Sequence, residues 1–270
     1  MRVSFSTGTF YQRGLRYSLD LARDLGYDGV ELVLGPGYVL RGADPLREAI
    51  AHAGVPALSV HPPFYPLPGW PRKASEAIPR LARVSRAIGA ELFVVHLPFF
   101  TTPESPRARR YSESLRAGRA LGAEAVQIGL ESSQFNKRTK RYYLDDLEHL
   151  ARFAKERDCG VTFDTCHAGA NGEDVLACYE ILRPVMRNLH LSDVIWRGRK
   201  PLTHRLPGEG ELPLAALLGK MAQDGYSGLI TLEIHPREAS FLSTRRARGR
   251  LKKALDFVRQ HSAPPEGARP

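Results

Sequence analysis

Eight times along this chain a short apolar-rich run gives way to a longer segment with helical hydrophobic spacing. The runs fall at 2–7, 29–34, 57–61, 91–97, 125–131, 160–165, 188–193 and 228–234. The helical segments fall at 15–25, 45–53, 72–88, 106–121, 144–157, 172–182, 214–223 and 244–261. Apolar runs of that length read as strands, and apolar positions recurring every three to four residues read as one face of a helix. Successive strands separated by helices have the long crossovers that a parallel sheet requires. Several helical segments run into a glycine before the next strand (Gly26, Gly54, Gly89, Gly122, Gly160 and Gly225), as helix C-caps do.

Eight such units in 270 residues fit a closed, single-domain (β/α)8 barrel over 1–261, an α/β fold. The competing doubly wound sheet carries a glycine-rich phosphate loop after its first strand. Here that position reads Ser6-Thr7-Gly8-Thr9-Phe10 and does not match GxGxxG. The Pro/Gly-rich end, 262–270, is expected to be a disordered tail.

Composition removes several classes. No apolar run approaches the roughly 18 residues that span a bilayer, so no membrane segment is expected. The first residues enter a strand directly, with no signal-peptide pattern. Cys159, Cys166 and Cys178 form neither a disulfide framework nor a CxxC pair, and read as reduced, buried thiols of a cytoplasmic protein.

In a barrel of this kind the C-terminal strand ends form the active-site rim. Those ends carry His61, His96, Glu131, Asp164, His190 and Glu233, with His167 three residues beyond Asp164 and His204 in the long loop after strand seven. Any one of them has an ordinary reading as a core histidine, a turn cap or an ion-pair partner. Such accidents would scatter over both barrel faces, whereas these gather on one. Several carboxylates converging there repel one another without a cation. Mixed His, Asp and Glu donors suit Zn, Mn, Co or Fe better than Ca.

Longer phrases carry a family resemblance. They are Gly26-Tyr27-Asp28-Gly29-Val30-Glu31-Leu32, Asp164-Thr165-Cys166-His167-Ala168, Leu189-His190-Leu191-Ser192-Asp193, His204-Arg205-Leu206-Pro207-Gly208-Glu209-Gly210, Gly225-Tyr226-Ser227-Gly228 and Thr231-Leu232-Glu233. Together they resemble the xylose-isomerase-like TIM-barrel superfamily, which holds sugar isomerases and epimerases as well as endonuclease IV. The ketose-epimerase-like pattern implies one divalent metal on Glu131, Asp164, His190 and Glu233, with Glu131 and Glu233 as the catalytic acid/base pair. The endonuclease-IV-like pattern adds His61 and His96 around Glu131, and His167 with His204 at a further metal, for two or three ions in all. That nuclease has an aspartate two residues before its equivalent of His204; Leu202 stands here, which weakens the case for a third metal. Leu206-Pro207-Gly208-Glu209-Gly210 is more typical of the isomerase-like members.

The formal charge of +10 favours anionic partners. Loops on the catalytic side carry Arg107, Arg109, Arg110, Lys137, Arg138, Lys140, Arg141, Arg197, Arg199, Lys200 and Arg205. The opposite connections carry Asp24, Asp28, Glu91, Glu124, Asp158 and Asp224. A positive mouth is therefore expected.

The first functional reading is an isomerase or epimerase of a small sugar, cyclitol or sugar phosphate, working through an enediolate. In it His167 contacts a substrate oxygen, and Arg197 or Arg199 holds an anionic group. The alternative is a multi-metal phosphodiesterase of the endonuclease IV type, acting on abasic DNA. A degenerate barrel that merely binds a sugar or partner has no use for so complete a ligand set.

Overall fold

The computed structural model describes residues 1–122, 125–136 and 138–263. The barrel strands are β1 (Arg2–Ser6), β2 (Gly29–Val33), β3 (Ala57–His61), β4 (Leu92–His96), β5 (Gln127–Glu131), β6 (Gly160–Asp164), β7 (Met186–Leu191) and β10 (Leu229–Leu232). They close in the order β1-β10-β7-β6-β5-β4-β3-β2, and every neighbouring pair is parallel. The remaining two strands, β8 (Asp193–Arg197) and β9 (Lys200–Arg205), form a separate antiparallel pair.

Around the barrel lie α1 (Gly14–Leu25), α2 (Pro36–Arg41), α3 (Asp44–Ala53), α4 (Ala74–Ile88), α5 (Pro106–Gly122), α6 (Leu147–Glu156), α7 (Thr165–Asn171), α8 (Val175–Leu182), α9 (Leu214–Gln223) and α10 (Thr244–His261). None of the described helices is long and apolar enough to cross a membrane. The expected tail, 262–270, lies almost wholly outside the described residues, as do Glu124 and Lys137.

The main hydrophobic core fills the space between strands and helices, built from residues such as Phe5, Phe93, Ile128, Phe163, Leu189 and Leu217. Leu58, Leu92, Val94 and Leu229 form a small separate cluster. Strand residues alternate between two faces, and the second face is largely polar. Ser4 Oγ lies 3.0 Å from Thr231 Oγ1, and Thr231 donates to Asn188 Oδ1 at 3.1 Å. The barrel therefore spends little of its lumen on apolar packing and uses the rest to position polar groups.

Two departures from the sequence reading matter for the site. The helix expected at 172–182 is α8, which starts at Val175, and a further helix that the sequence reading did not place, α7, precedes it. Asp164 caps α7 directly after β6, and Gly172, at φ 79°, ends it before α8 begins. The loop expected after strand seven is the β8–β9 hairpin, so His204 belongs to β9.

Asp193 ties this hairpin to the loop between β9 and α9. It is fully buried, and its Oδ1 accepts from the backbone N–H groups of Val194 (2.9 Å) and Leu212 (3.0 Å). Its Oδ2 accepts from Gly208 and Gly210, each at 3.0 Å. A Cβ on Gly210 would meet Asp193 Oδ1 at 2.3 Å, so the loop closes on the carboxylate only because that residue has no side chain.

Before β6, the left-handed turn is taken by Asp158 (φ 51°), and Gly160 is the first strand residue.

Candidate active site

Parallel register decides which strand ends meet. His96 stands opposite Glu131 across β4 and β5, and Asp164 opposite His190 across β6 and β7. Glu233 follows β10 directly, and β10 pairs with β7 through Thr231 and His190. His190 Nδ1 consequently lies 2.8 Å from Glu233 Oε2, 3.2 Å from Glu131 Oε1 and 4.0 Å from Asp164 Oδ2. One donor atom from each of these four residues lies within 4.8 Å of every other.

Three carboxylates this close and out of water repel strongly unless positive charge intervenes. Histidines supply part of it. Burial disfavours a charged His190, but the carboxylates of Glu31, Glu233 and Glu131 outweigh burial and raise its pKa well above the usual value. His61 and His167 are raised against burial in the same way, chiefly through Glu131 and Asp164 respectively. In return Glu131 is held well below the carboxylate range: burial pushes it up, and hydrogen bonds from His190, His61 and His96 prevail. Glu233, also raised by burial, is held at about 2 by the charge of His190.

Protons do not satisfy every group. Asp164 Oδ1 accepts from the N–H groups of Cys166 (2.8 Å) and His167 (3.0 Å), which fixes the carboxylate as the cap of α7. Its Oδ2 is buried with no hydrogen-bond partner among the described residues, and Glu233 Oε2, buried and 2.8 Å from His190 Nδ1, has an ion-pair contact there without hydrogen-bond geometry. Buried carboxylate oxygens left free beside an imidazole nitrogen are a cation's donor set. The residues present therefore fit a divalent metal, with Glu131, Asp164, His190 and Glu233 as the holders.

Sequence reasoning gave Glu31 no role. It sits inside β2, fully buried, where Oε2 accepts from Ser59 Oγ at 2.8 Å and lies 3.1 Å from His190 Nε2. A carboxylate behind a ligating histidine sets the ring's orientation and tautomer. The signal was a charge inside an apolar run, Val30-Glu31-Leu32.

The other predicted histidines form two side clusters. His61 Nδ1 donates to the Pro62 carbonyl at 2.7 Å, His167 Nδ1 to Ser132 at 2.8 Å and His204 Nδ1 to Glu233 at 3.2 Å. Because a carbonyl only accepts, each of these rings in its neutral form presents Nε2 as a bare lone pair. His61 Nε2 lies 3.3 Å from His96 Nε2, and His96 Nε2 lies 3.1 Å from Glu131 Oε2. Cys166, His167 and His204 form the second cluster, with Cys166 Sγ 3.5 Å from His204 Nδ1. Leu202 pairs with Ile195 in the hairpin and offers no donor where the nuclease pattern has its aspartate. Arg197 and Arg199 stand apart, exposed at the hairpin tip.

The positive mouth is partly neutralised within the chain. Arg138 pairs with Asp145, Arg205 with Glu238, and Arg141 reaches Glu173 at 3.9 Å.

Residues 19–261 match the family model described as xylose isomerase-like TIM barrel. The chain belongs to the xylose isomerase-like TIM barrel family. It is similar to an uncharacterized protein of Mycobacterium tuberculosis, 27% identical over 97% of this chain and 98% of that one. A probable endonuclease 4 of Methanoculleus marisnigri is 26% identical over 72% of this chain and 74% of its own length. A fructoselysine 3-epimerase of Escherichia coli O157:H7 is 22% identical over 79% of this chain and 82% of its own. Among solved structures, the IOLI protein with a bound zinc atom superposes with a TM-score of 0.74 at 19% identity, over 97% of this chain and 99% of that one. Family membership thus covers sugar isomerases and epimerases on one side and endonucleases on the other.

Proposed function

We propose that this protein is a divalent-metal-dependent isomerase or epimerase acting on a small sugar, cyclitol or sugar phosphate. The observation that carries this reading is the buried set Glu131, Asp164, His190 and Glu233, whose donor atoms lie within 4.8 Å of one another. The similarity to fructoselysine 3-epimerase supports it. When bound, the cation supplies polarisation of a substrate carbonyl and its neighbouring hydroxyl.

The chain's own residues do the proton work. Glu131 and Glu233 approach His190 Nδ1 together, at 3.2 and 2.8 Å, and both are held in the ionised form that a general base needs. In this reading one of them removes the proton α to the carbonyl, leaving an enediolate; isomerisation returns that same proton from the same carboxyl to the neighbouring carbon, and epimerisation delivers to the opposite face a proton that the other carboxylate has taken up from water. His167, with its Nδ1–H engaged by Ser132, offers Nε2 to a substrate hydroxyl. The three cysteines are free and buried, in keeping with a reducing, cytoplasmic setting.

The test is solvent-deuterium incorporation into a panel of ketoses and ketose phosphates by Mn- or Co-reconstituted protein. The wild type should exchange the α-proton of at least one of them, and Glu131→Gln should abolish that exchange while leaving circular dichroism unchanged. Full exchange in the variant would remove Glu131 from the role.

One observation favours a second reading. His61, His96 and Glu131 form another three-donor set next to the first, as a multi-metal phosphodiesterase resembling endonuclease IV would require. Incision of an abasic duplex with added Zn or Mn would establish that activity, and no incision at micromolar protein would dismiss it.

A further inference from the structure

A cleft of about 810 Å3 opens between α4 and α5. His96 lines it, and the Nε2 of that residue lies 3.1 Å from Glu131 Oε2, so cleft and candidate metal centre share a residue. Arg72 and Lys73 stand on one wall and Arg107 and Arg110 on the other. Arg138, Arg141 and Arg205 elsewhere on this rim have acidic partners, whereas these four have none within 4.0 Å among the described residues. Glu113, the carboxylate on the wall, pairs with none of them.

The placement is electrostatically adverse for an empty protein. Arg107 and Arg110 fall among the first five residues of α5, whose first turn contains no acid. Lys73 is the N-cap residue of α4, and no side chain caps that end. Glu76, in the first turn of α4, does not line the cleft. Helix N-termini carry partial positive charge and favour acidic neighbours. The first turns of two helices and four exposed cations without acidic partners therefore line one cavity, and an anion bound there meets positive charge on both walls.

We infer that this cleft seats the phosphate group of a phosphorylated sugar whose reacting carbons lie at the Glu131–Glu233 centre. A single bidentate arginine satisfies a carboxylate. Four cations with two helix ends match a dianionic phosphoryl group better. The volume falls in the range of small-molecule sites, roughly 300–1,000 Å3. The anion seat is a property of the cleft alone; only the identity of the attached sugar rests on the isomerase or epimerase reading.

The test separates the two. Inorganic phosphate is titrated calorimetrically into chelator-treated wild type, Arg107→Ala/Arg110→Ala, and Arg83→Ala/Arg86→Ala, which removes equal charge from exposed positions toward the far end of α4. The wild type and the α4 control should bind saturably, and the cleft variant should bind at least about tenfold more weakly. In phosphate-free buffer the cleft variant should melt no lower than wild type, because adverse charge has been removed. Equal binding by all three proteins, or no saturable binding by wild type up to about 10 mM phosphate, overturns the seat.

Reconstituted enzyme is then assayed for solvent-deuterium exchange on D-fructose 6-phosphate and D-fructose. The cleft variant should raise KM for the phosphate ester while kcat and the unphosphorylated ketose stay unchanged. An equal rise for both overturns the substrate assignment. Absence of exchange with either sugar, alongside intact phosphate binding, counts against the reaction and leaves the seat standing.

Discussion

Glu31 holds His190 from behind. Its Oε2 lies 3.1 Å from His190 Nε2, while the other ring nitrogen, Nδ1, faces Glu131, Asp164 and Glu233. The ring is thus clamped between a carboxylate that orients it and the carboxylates with which it would share a cation.

Glu31→Gln retains the size of that clamp and removes its charge. Metal affinity, measured by competition with a chromogenic chelator, should fall about 10–100-fold. The barrel should still fold, because Ser59 can hydrogen-bond either side chain. An unchanged affinity would reduce Glu31 to a polar filler.

The cluster also sets a pH dependence for metal-free protein. The His190 pKa is raised in the fold above its ordinary 6.5, by Glu31, Glu233 and Glu131 acting against burial. Its contribution to stability is therefore complete below about pH 6.5 and is lost as pH rises through the raised value. Glu131 and Glu233 lie below their ordinary 4.5, so their contribution is present above that pH and is lost as pH falls, toward about 2 for Glu233. Metal-free protein should melt highest in mild acid and lower at alkaline pH. A bound cation displaces the His190 proton, so saturating Mn or Zn should raise Tm more at pH 8 than at pH 6. Equal rises at the two pH values would contradict this picture.

Much of this centre was legible in the sequence, because Glu131, Asp164 and Glu233 sit where strands stop and the rim begins. Glu31 was not, because it lies inside β2, and attention to strand ends passes over a charge in mid-strand. The barrel itself was legible from its alternation. The hairpin was hidden by its charged tip, Arg197-Gly198-Arg199-Lys200, which reads as loop. Yet Val194-Ile195-Trp196 before a glycine at φ 60° is a strand-and-turn signal. Helix α7 escaped the sequence reading because it follows β6 without a loop, Asp164 serving as both site residue and helix cap, and because Gly172 stops it after seven residues. Periodicity does not report such a double use.

Asp193→Asn should cost about 2–4 kcal/mol in urea unfolding, because a buried carboxylate that accepts four backbone N–H groups becomes an amide with one acceptor. Gly210→Ala should destabilise through the same contact, since its Cβ would meet Asp193 Oδ1 at 2.3 Å and Val194 O at 2.4 Å. Wild-type stability in either variant would mean that the loop relaxes away without cost.

Metal content separates the two functional readings. Under the isomerase or epimerase reading, wild type purified without chelator carries about one ion per chain, and His96→Ala keeps it. The His96 ring is more than half exposed, so its removal should not unfold the barrel. Two or three ions per chain, one of them lost with His96, would make the side clusters ligand sets and move abasic DNA to the front of the substrate panel.

Among the described strands, β8 and β9 pair only with each other, and the hairpin is pinned at its root by Asp193. Insertions, deletions and new side chains at its tip can accumulate without disturbing any barrel register. The tip can therefore vary in length and charge while the strands that carry Glu131, Asp164 and His190 keep their register. Loop grafts between relatives should therefore be made from Asp193 to Leu212 as a cassette, with the anchoring carboxylate and its glycines carried along.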